Sequence, residues 1–244
     1  MLPEICHIGS FTIYSYGLML VLAFFVCAYL ASRQARKEGV DPESIFNLCF
    51  FVFIFGIIGA RVFYVLNNFS FYLHNPLEII MLQHGGMAWF GGLIFGSGAA
   101  AIFIKKNKLG LLKTLDLLVP FVALAQAIGR IGCLLNGCCY GRPSEFGIYF
   151  KVFDQVLIPT QLYSSLLLLL IFSVLRFIQN RKHALGQVFC AYLFLYSLKR
   201  FFIEYLRNDS PRLFYGLTLF QVLSLAAFFV SLLLFIRVMS SKKR

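Results

Sequence analysis

Residues 115–142 read LDLLVPFVALAQAIGRIGCLLNGCCYGR, an apolar run long enough for a helix that breaks into glycine, arginine, asparagine and cysteine over its last turns. Arg130 stands inside that run. A guanidinium cannot shed its charge by losing a proton, so within hydrocarbon it must face a partner, water or an anionic ligand. Arg130 is therefore a site candidate on chemistry alone.

The rest of the chain repeats the apolar pattern. Of its 244 residues 60% are hydrophobic and 13% charged, with a mean hydropathy of +0.81, whereas a soluble domain carries roughly a quarter charged residues. Further apolar runs lie at 11–31, 45–66, 87–104, 161–177, 187–206 and 217–236, which with 115–135 makes seven. Each is near the roughly 20 residues that cross a bilayer as helix. They are too uniformly apolar for the alternating strands of a barrel. The predicted class is all-α: one polytopic domain over 1–244 with seven transmembrane helices. No basic segment precedes the first run and no small-residue cleavage pattern stands out, so it reads as a retained span rather than a signal peptide.

Lysine and arginine set the predicted orientation. One side carries Arg33, Arg36, Lys37, Lys105, Lys106, Lys108, Lys113, Arg176, Arg181, Lys182, Arg237, Lys242, Lys243 and Arg244; the other has Arg142, Lys151, Arg207 and Arg212. This 14 against 4 asymmetry puts the N-terminus outside and the C-terminus in the cytoplasm. The net charge of +12 lies in short juxtamembrane loops, where anionic lipid accounts for it and nucleic-acid binding is not expected.

Helix rise then predicts a common depth. Entering from the cytoplasm, Arg61, Arg130 and Arg200 come after roughly 24, 22 and 21 Å of helix, the outer third of a core about 30 Å thick. Running inward, the first span brings Tyr16 and the third brings the His84-to-Gly92 stretch to the same layer. Tyr196, Arg200 and Glu204 recur at intervals of four with Arg207 three further on, so they share a helix face and an Arg200–Glu204 pair is expected. That leaves Arg61 and Arg130 without an obvious carboxylate, and buried positive charge calls for an anion; a phospholipid phosphate matches the arginine fork. Gly85, Gly86, Gly91 and Gly92 allow close helix packing by default, with broken backbone lining a cavity as the second reading. His84 reads as a solvated loop residue rather than a base. Cys27, Cys49 and Cys190 read as small hydrophobes within helices.

Taken with Tyr16-Gly17-Leu18, Gly85-Gly86 followed by Gly91-Gly92-Leu93-Ile94, Pro159-Thr160-Gln161-Leu162-Tyr163 and the Tyr196-to-Arg207 pattern, the opening segment resembles the bacterial prolipoprotein diacylglyceryl transferases. The resemblance runs in order over nearly the whole chain. It implies an enzyme of the bacterial plasma membrane whose site faces the outer leaflet. Such an enzyme moves a diacylglyceryl group from phosphatidylglycerol to the lipobox cysteine of a prolipoprotein, forming a thioether and releasing glycerol phosphate. By resemblance Arg130 matches the family's phosphatidylglycerol-contacting arginine and Arg200 its second essential arginine. Tyr16, Asn136, Gly141, Tyr196 and Glu204 fall on motif positions, and Arg61, Gly91 and Gly92 join the substrate-binding set.

The departures are specific. Phe90 stands where many members have histidine, and Cys133 and Cys138 stand where many have asparagine and glutamate, so the chain resembles a cysteine-bearing variant of the signature. The expected mechanism needs no dedicated base: a strongly positive site lowers a thiol pKa, Arg130 and Arg200 hold the phosphate, Arg61 supports the field, Glu204 orients Arg200, and Tyr16 or Tyr196 bonds lipid or thiol. No cofactor and no metal is expected. For Cys133, Cys138 and Cys139 the readings are disulfide, metal ligation, acylation or, by default, packing. The other function classes are a lipid transporter and a paralogue that binds phospholipid without chemistry.

Overall fold

The computed structural model describes residues 3–8, 11–81, 85–150, 152–208, 212–214 and 216–241. His84, Lys151, Lys242, Lys243 and Arg244 lie outside the described residues, and Arg212 is described for its backbone alone. The chain is mostly helical. Its helices are α1 (Ser15–Lys37), α2 (Pro42–Asn67), the short α3 (Phe69–His74), α4 (Trp89–Lys106), α5 (Leu111–Asn136), α6 (Thr160–Gln179), α7 (Gln187–Leu206) and α8 (Leu219–Ser241). Five of them, α1, α2, α5, α6 and α8, are long and apolar enough to cross a membrane. The lysine pair that ends α4 and the Lys199, Arg200 and Glu204 of α7 make those two more polar. Outward-facing side chains such as Phe25, Leu166, Leu170 and Leu233 are apolar, which suits a lipid-facing surface.

Among the described residues three short antiparallel hairpins add to the helices: β1 (Glu4–Ile8) with β2 (Phe11–Tyr14), β3 (Pro143–Phe150) with β4 (Gln155–Leu157), and β5 (Arg212–Phe214) with β6 (Leu217–Thr218). The first corrects a boundary. Residues 11–14, apolar and continuous with the predicted first span, pair as a strand, and the helix starts only at Ser15, whose N–H donates to the Pro3 carbonyl at 2.9 Å.

The chain divides into two compact units, residues 28–111 and the remainder. In the first, α2 starts behind Asp41, whose carboxylate accepts from the backbone N–H of Ser44 (2.8 Å) and Glu43 (3.3 Å), with Pro42 at the first helical position; this satisfies donors that a helix start leaves unpaired. Helices α2 and α4 meet through glycine. A Cβ at Gly91 would collide with the Gly59 carbonyl oxygen and come within 2.6 Å of Phe63 Cβ, and one at Gly92 would lie 3.3 Å from the Gly56 carbonyl oxygen. Gly91 and Gly92 thus lie in the seam where α2 and α4 pack.

In the second unit α5, α6 and α7 share a core of Val119, Ala123, Ile171, Leu175, Val188, Ala191 and Tyr192. Asp116 on α5 fixes the start of α7, accepting from the N–H of Gly186 (2.6 Å) and Phe189 (2.8 Å). Its carboxylate does for α7 what a capping residue does at its own helix.

Candidate active site

Each unit holds arginine in its apolar helices, and the two kinds of surroundings differ. In the unit of 28–111, Arg61 is 6% exposed. All five of its N–H donors are taken by backbone carbonyls: Nε by Ile79 (3.0 Å), Nη1 by Gly85 and Gly86 (3.0 Å to the latter), and Nη2 by Glu78 and Met81 (3.1 Å to the latter). The Tyr72 ring lies 5.5 Å from its Cζ. Gly85 and Gly86 sit at φ +78° and +81°, a conformation glycine adopts without strain, and it turns both carbonyls onto the guanidinium. Each of its five donors is thus committed within the unit, and Arg61 clamps the segment before α4. Phe90 lies in the same unit, on the first turn of α4, edge-on to Trp89 at 5.1 Å between ring centroids.

The other unit gathers Tyr16, Arg130, Asn136, Gly141, Tyr196, Arg200 and Glu204. The end of α5 explains how. Gly137 at φ +73° is the left-handed residue after the helix; the N–H of Cys138 donates to the Cys133 carbonyl and that of Gly137 to the Leu134 carbonyl, both at 3.1 Å. This pair of bonds is the Schellman ending, which brings the second residue past the helix over its last turn. The loop beyond is tied on both sides. Gln161 Nε2 donates to the Cys138 carbonyl (2.7 Å) and Thr160 Oγ1 to the Cys139 carbonyl (2.6 Å). Gly141 N–H donates to the Ile158 carbonyl and Arg142 N–H to the Leu206 carbonyl, each at 2.9 Å. A Cβ at Gly141 would lie 2.7 Å from both Ile158 Cβ and the Leu206 carbonyl oxygen, so only glycine lets the signature loop lie against the end of α7.

On α7, Arg200 Nη2 is 3.0 Å from Glu204 Oε2 and Arg207 Nε is 3.9 Å from the same oxygen. The carboxylate's other oxygen accepts from Thr218 Oγ1 at 3.1 Å. Glu204 is buried and thereby held between two guanidiniums. The Arg200 Cζ also lies 4.5 Å from the centre of the Phe220 ring. Lys199, which the four-residue spacing does not single out, is buried too, donating to Ser164 Oγ (3.0 Å) with its Nζ 4.7 Å from the Tyr196 ring centre. Arg130, Arg200 and Arg207 all act on Lys199 electrostatically, so three guanidiniums and one buried amine share a neighbourhood with the Glu204 carboxylate. Among the described residues the Arg130 guanidinium has no hydrogen-bond or ion-pair partner.

Tyr16 opens α1 beside α5: a Cβ at Gly132 would lie 3.4 Å from its ring, and Arg130 and the three cysteines reach it electrostatically. The Asn136 side chain lies beside the Cys138 thiol, which donates to the Cys133 carbonyl at 3.6 Å. All seven cysteines are free thiols. The Sγ atoms of Cys133, Cys138 and Cys139 lie within 4.8 Å of one another. Hydrogen bonds from the Cys133 and Cys138 thiols, with the charges of Arg207 and Arg130, hold the Cys139 thiol well below the usual thiol range. Sequence spacing points to the cysteines and arginines; it does not point to Lys199, Ser164 or Thr218, whose only signal is polarity inside or beside an apolar helix.

Known proteins agree with one another about this chain. The family model described as prolipoprotein diacylglyceryl transferase matches residues 3–237, through both units. A phosphatidylglycerol--prolipoprotein diacylglyceryl transferase of Clostridium kluyveri is 39% identical over 218 residues, covering 85% of this chain and 86% of its own. Proteins of the same name from Clostridium tetani (33% over 242 residues, 96% and 97% covered) and Streptococcus agalactiae (34% over 244 residues, 96% and 95% covered) are similar along nearly their whole length. With the signature loop, the α7 ion pairs and matches of this extent, the chain belongs to the prolipoprotein diacylglyceryl transferase family.

Proposed function

We propose that this protein transfers the diacylglyceryl group of phosphatidylglycerol to the lipobox cysteine thiol of prolipoproteins, as a single multi-pass domain of the bacterial plasma membrane. In this reading all seven long helices span, with the N-terminus outside, the C-terminus in the cytoplasm and the site toward the outer leaflet; the 14 against 4 distribution of basic residues supports it. The observation that carries the function is the Arg130 guanidinium, without a hydrogen-bond or ion-pair partner among the described residues, in a neighbourhood of three guanidiniums and the Glu204 carboxylate. Such a place is electrostatically incomplete until an anion enters it.

The phosphodiester of phosphatidylglycerol supplies that anion. Arg130 binds it through its planar fork and Arg200 joins from α7, aligned by Glu204, which Thr218 holds in turn. The substrate thiolate attacks the glycerol carbon next to the phosphate; a carbon–sulfur bond forms, the carbon–oxygen bond breaks, and its electron pair leaves on glycerol phosphate. Charge grows on that leaving oxygen, where pre-aimed guanidiniums stabilise the transition state more than the ground state. Tyr16 and Tyr196 line the approach, and Asn136 and Gly141 shape the loop. Arg61, Gly91 and Gly92 serve the architecture of their own unit.

The test is an assay with purified protein, labelled phosphatidylglycerol and a lipobox peptide. Thioether product is expected. Binding of the lipid with no product would overturn the transferase reading in favour of a phospholipid-binding paralogue, which Phe90 in the family's histidine position favours.

A further inference from the structure

Cys133, Cys138 and Cys139 are left unused by the reaction above, yet the backbone goes to some length to bring them together. Neighbouring residues of an extended chain project to opposite sides, so a Cys-Cys pair does not ordinarily aim two sulfurs at one point. Here the Schellman ending lays Cys138 over Cys133. Cys139 then takes a left-handed conformation, φ +62°, one that non-glycine residues keep only where surroundings hold them. Gln161 and Thr160, 1% and 2% exposed, hold the two carbonyls.

The result is three free sulfurs within 4.8 Å of one another. Three sulfurs bonded at about 2.3 Å to one tetrahedral ion stand about 3.8 Å apart, so shifts of about 1 Å or less close the set. We infer that Cys133, Cys138 and Cys139 bind one thiophilic divalent cation, zinc being the abundant one, as a three-sulfur set with its fourth position open. A disulfide would use two sulfurs and leave the third without a purpose, and packing alone would not need the convergence. Three thiolates around a divalent ion carry one net negative charge, and the guanidiniums of Arg207 and Arg130, whose charge reaches Cys139, offset it.

Three protein ligands with an open position is the arrangement of catalytic rather than structural zinc. On the transferase reading, the ligand for that position is the incoming lipobox thiol. Coordination sends its proton to water and leaves a bound thiolate, which removes the need for a base at Phe90. Its electron pair makes the carbon–sulfur bond while the carbon–oxygen pair departs with the phosphate, and the ion changes neither charge nor oxidation state.

The full chain, purified into lipid nanodiscs, stripped with chelator and dialysed against Zn2+, is expected to retain about one zinc per protein. Co2+ in its place is expected to give the intense absorption of sulfur-to-cobalt charge transfer. Cys138→Ser, and the variant combining Cys133→Ser, Cys138→Ser and Cys139→Ser, are expected to lose metal roughly tenfold or more. Wild-type protein that binds no metal, a triple variant that retains it, or a disulfide among the three cysteines of the isolated protein would overturn the site. A lipobox peptide is expected to change the cobalt spectrum and its serine counterpart to leave it unaltered; no change with the thiol peptide overturns the open-position assignment. Metal binding and the peptide-dependent change in protein that makes no thioether would uphold the site and count against the transferase reading, so the two failures are distinguishable.

Discussion

Arg61 and Arg130 are the same residue type in apolar helices, and their surroundings are opposite. Arg61 gives all five N–H groups to carbonyls of residues 78–86, while Arg130 has no such partner among the described residues. An arginine in hydrocarbon is satisfied either by its own chain or by something that arrives, and only the second kind marks a binding site. The charge alone does not tell them apart; the count of committed donors does.

The largest effect expected from this contrast is on turnover. Arg130→Lys keeps the charge and loses the fork, and is expected to cut kcat/KM by about 100-fold or more with thermal stability unchanged. Near-normal turnover would remove Arg130 from the phosphate. Arg61→Met should do the reverse. Five carbonyls lose their donor, and the expected cost is about 3–5 kcal/mol of stability, read as a fall in unfolding midpoint, with specific activity of the surviving folded protein little altered. A stable Arg61→Met protein with weakened lipid binding would erase the contrast. The smallest effect tests the packing of the same unit. Gly91→Ala puts a methyl onto Gly59 and Phe63 and is expected to cost about 1–3 kcal/mol. Gly98→Ala, with nothing within 4 Å of its Cβ, is expected to stay within about 0.5 kcal/mol of wild type. Equal behaviour of the two alanines would show that α2 and α4 do not meet through glycine.

The helices were legible because a lipid-crossing segment must be apolar throughout, and that signal is carried one residue at a time. The strand at Phe11–Tyr14 was not, since it is as apolar as the helix it precedes, and what separates them is the pairing with Glu4–Ile8. The face of α7 was legible from the spacing of Arg200 and Glu204. Lys199, one residue off that face, was not, because its burial depends on Ser164 from α6. Asn136-Gly137 announces a helix end, but the meeting of three thiols depends on the left-handed turn at Cys139, a conformation the residue type does not advertise. The fate of Arg61 was least legible of all: its partners are carbonyls, which every residue possesses. The glycine pair at 85 and 86 was a hint, since a turn that aims two successive carbonyls at one point suits glycine.

The Arg61 clamp also bears on how the protein is made. Its partners are encoded 17 to 25 residues downstream, so a chain cut off after α2 lacks every carbonyl that satisfies its arginine. Such a fragment is expected to carry Arg61 as a bare cation in an apolar helix and to hold α2 firmly only when extended through Gly86, which protease protection of a truncation series would check. The piece of chain that ends at Gly86 is then the shortest in which α2 is complete, with the Gly85-Gly86 turn as its closing element.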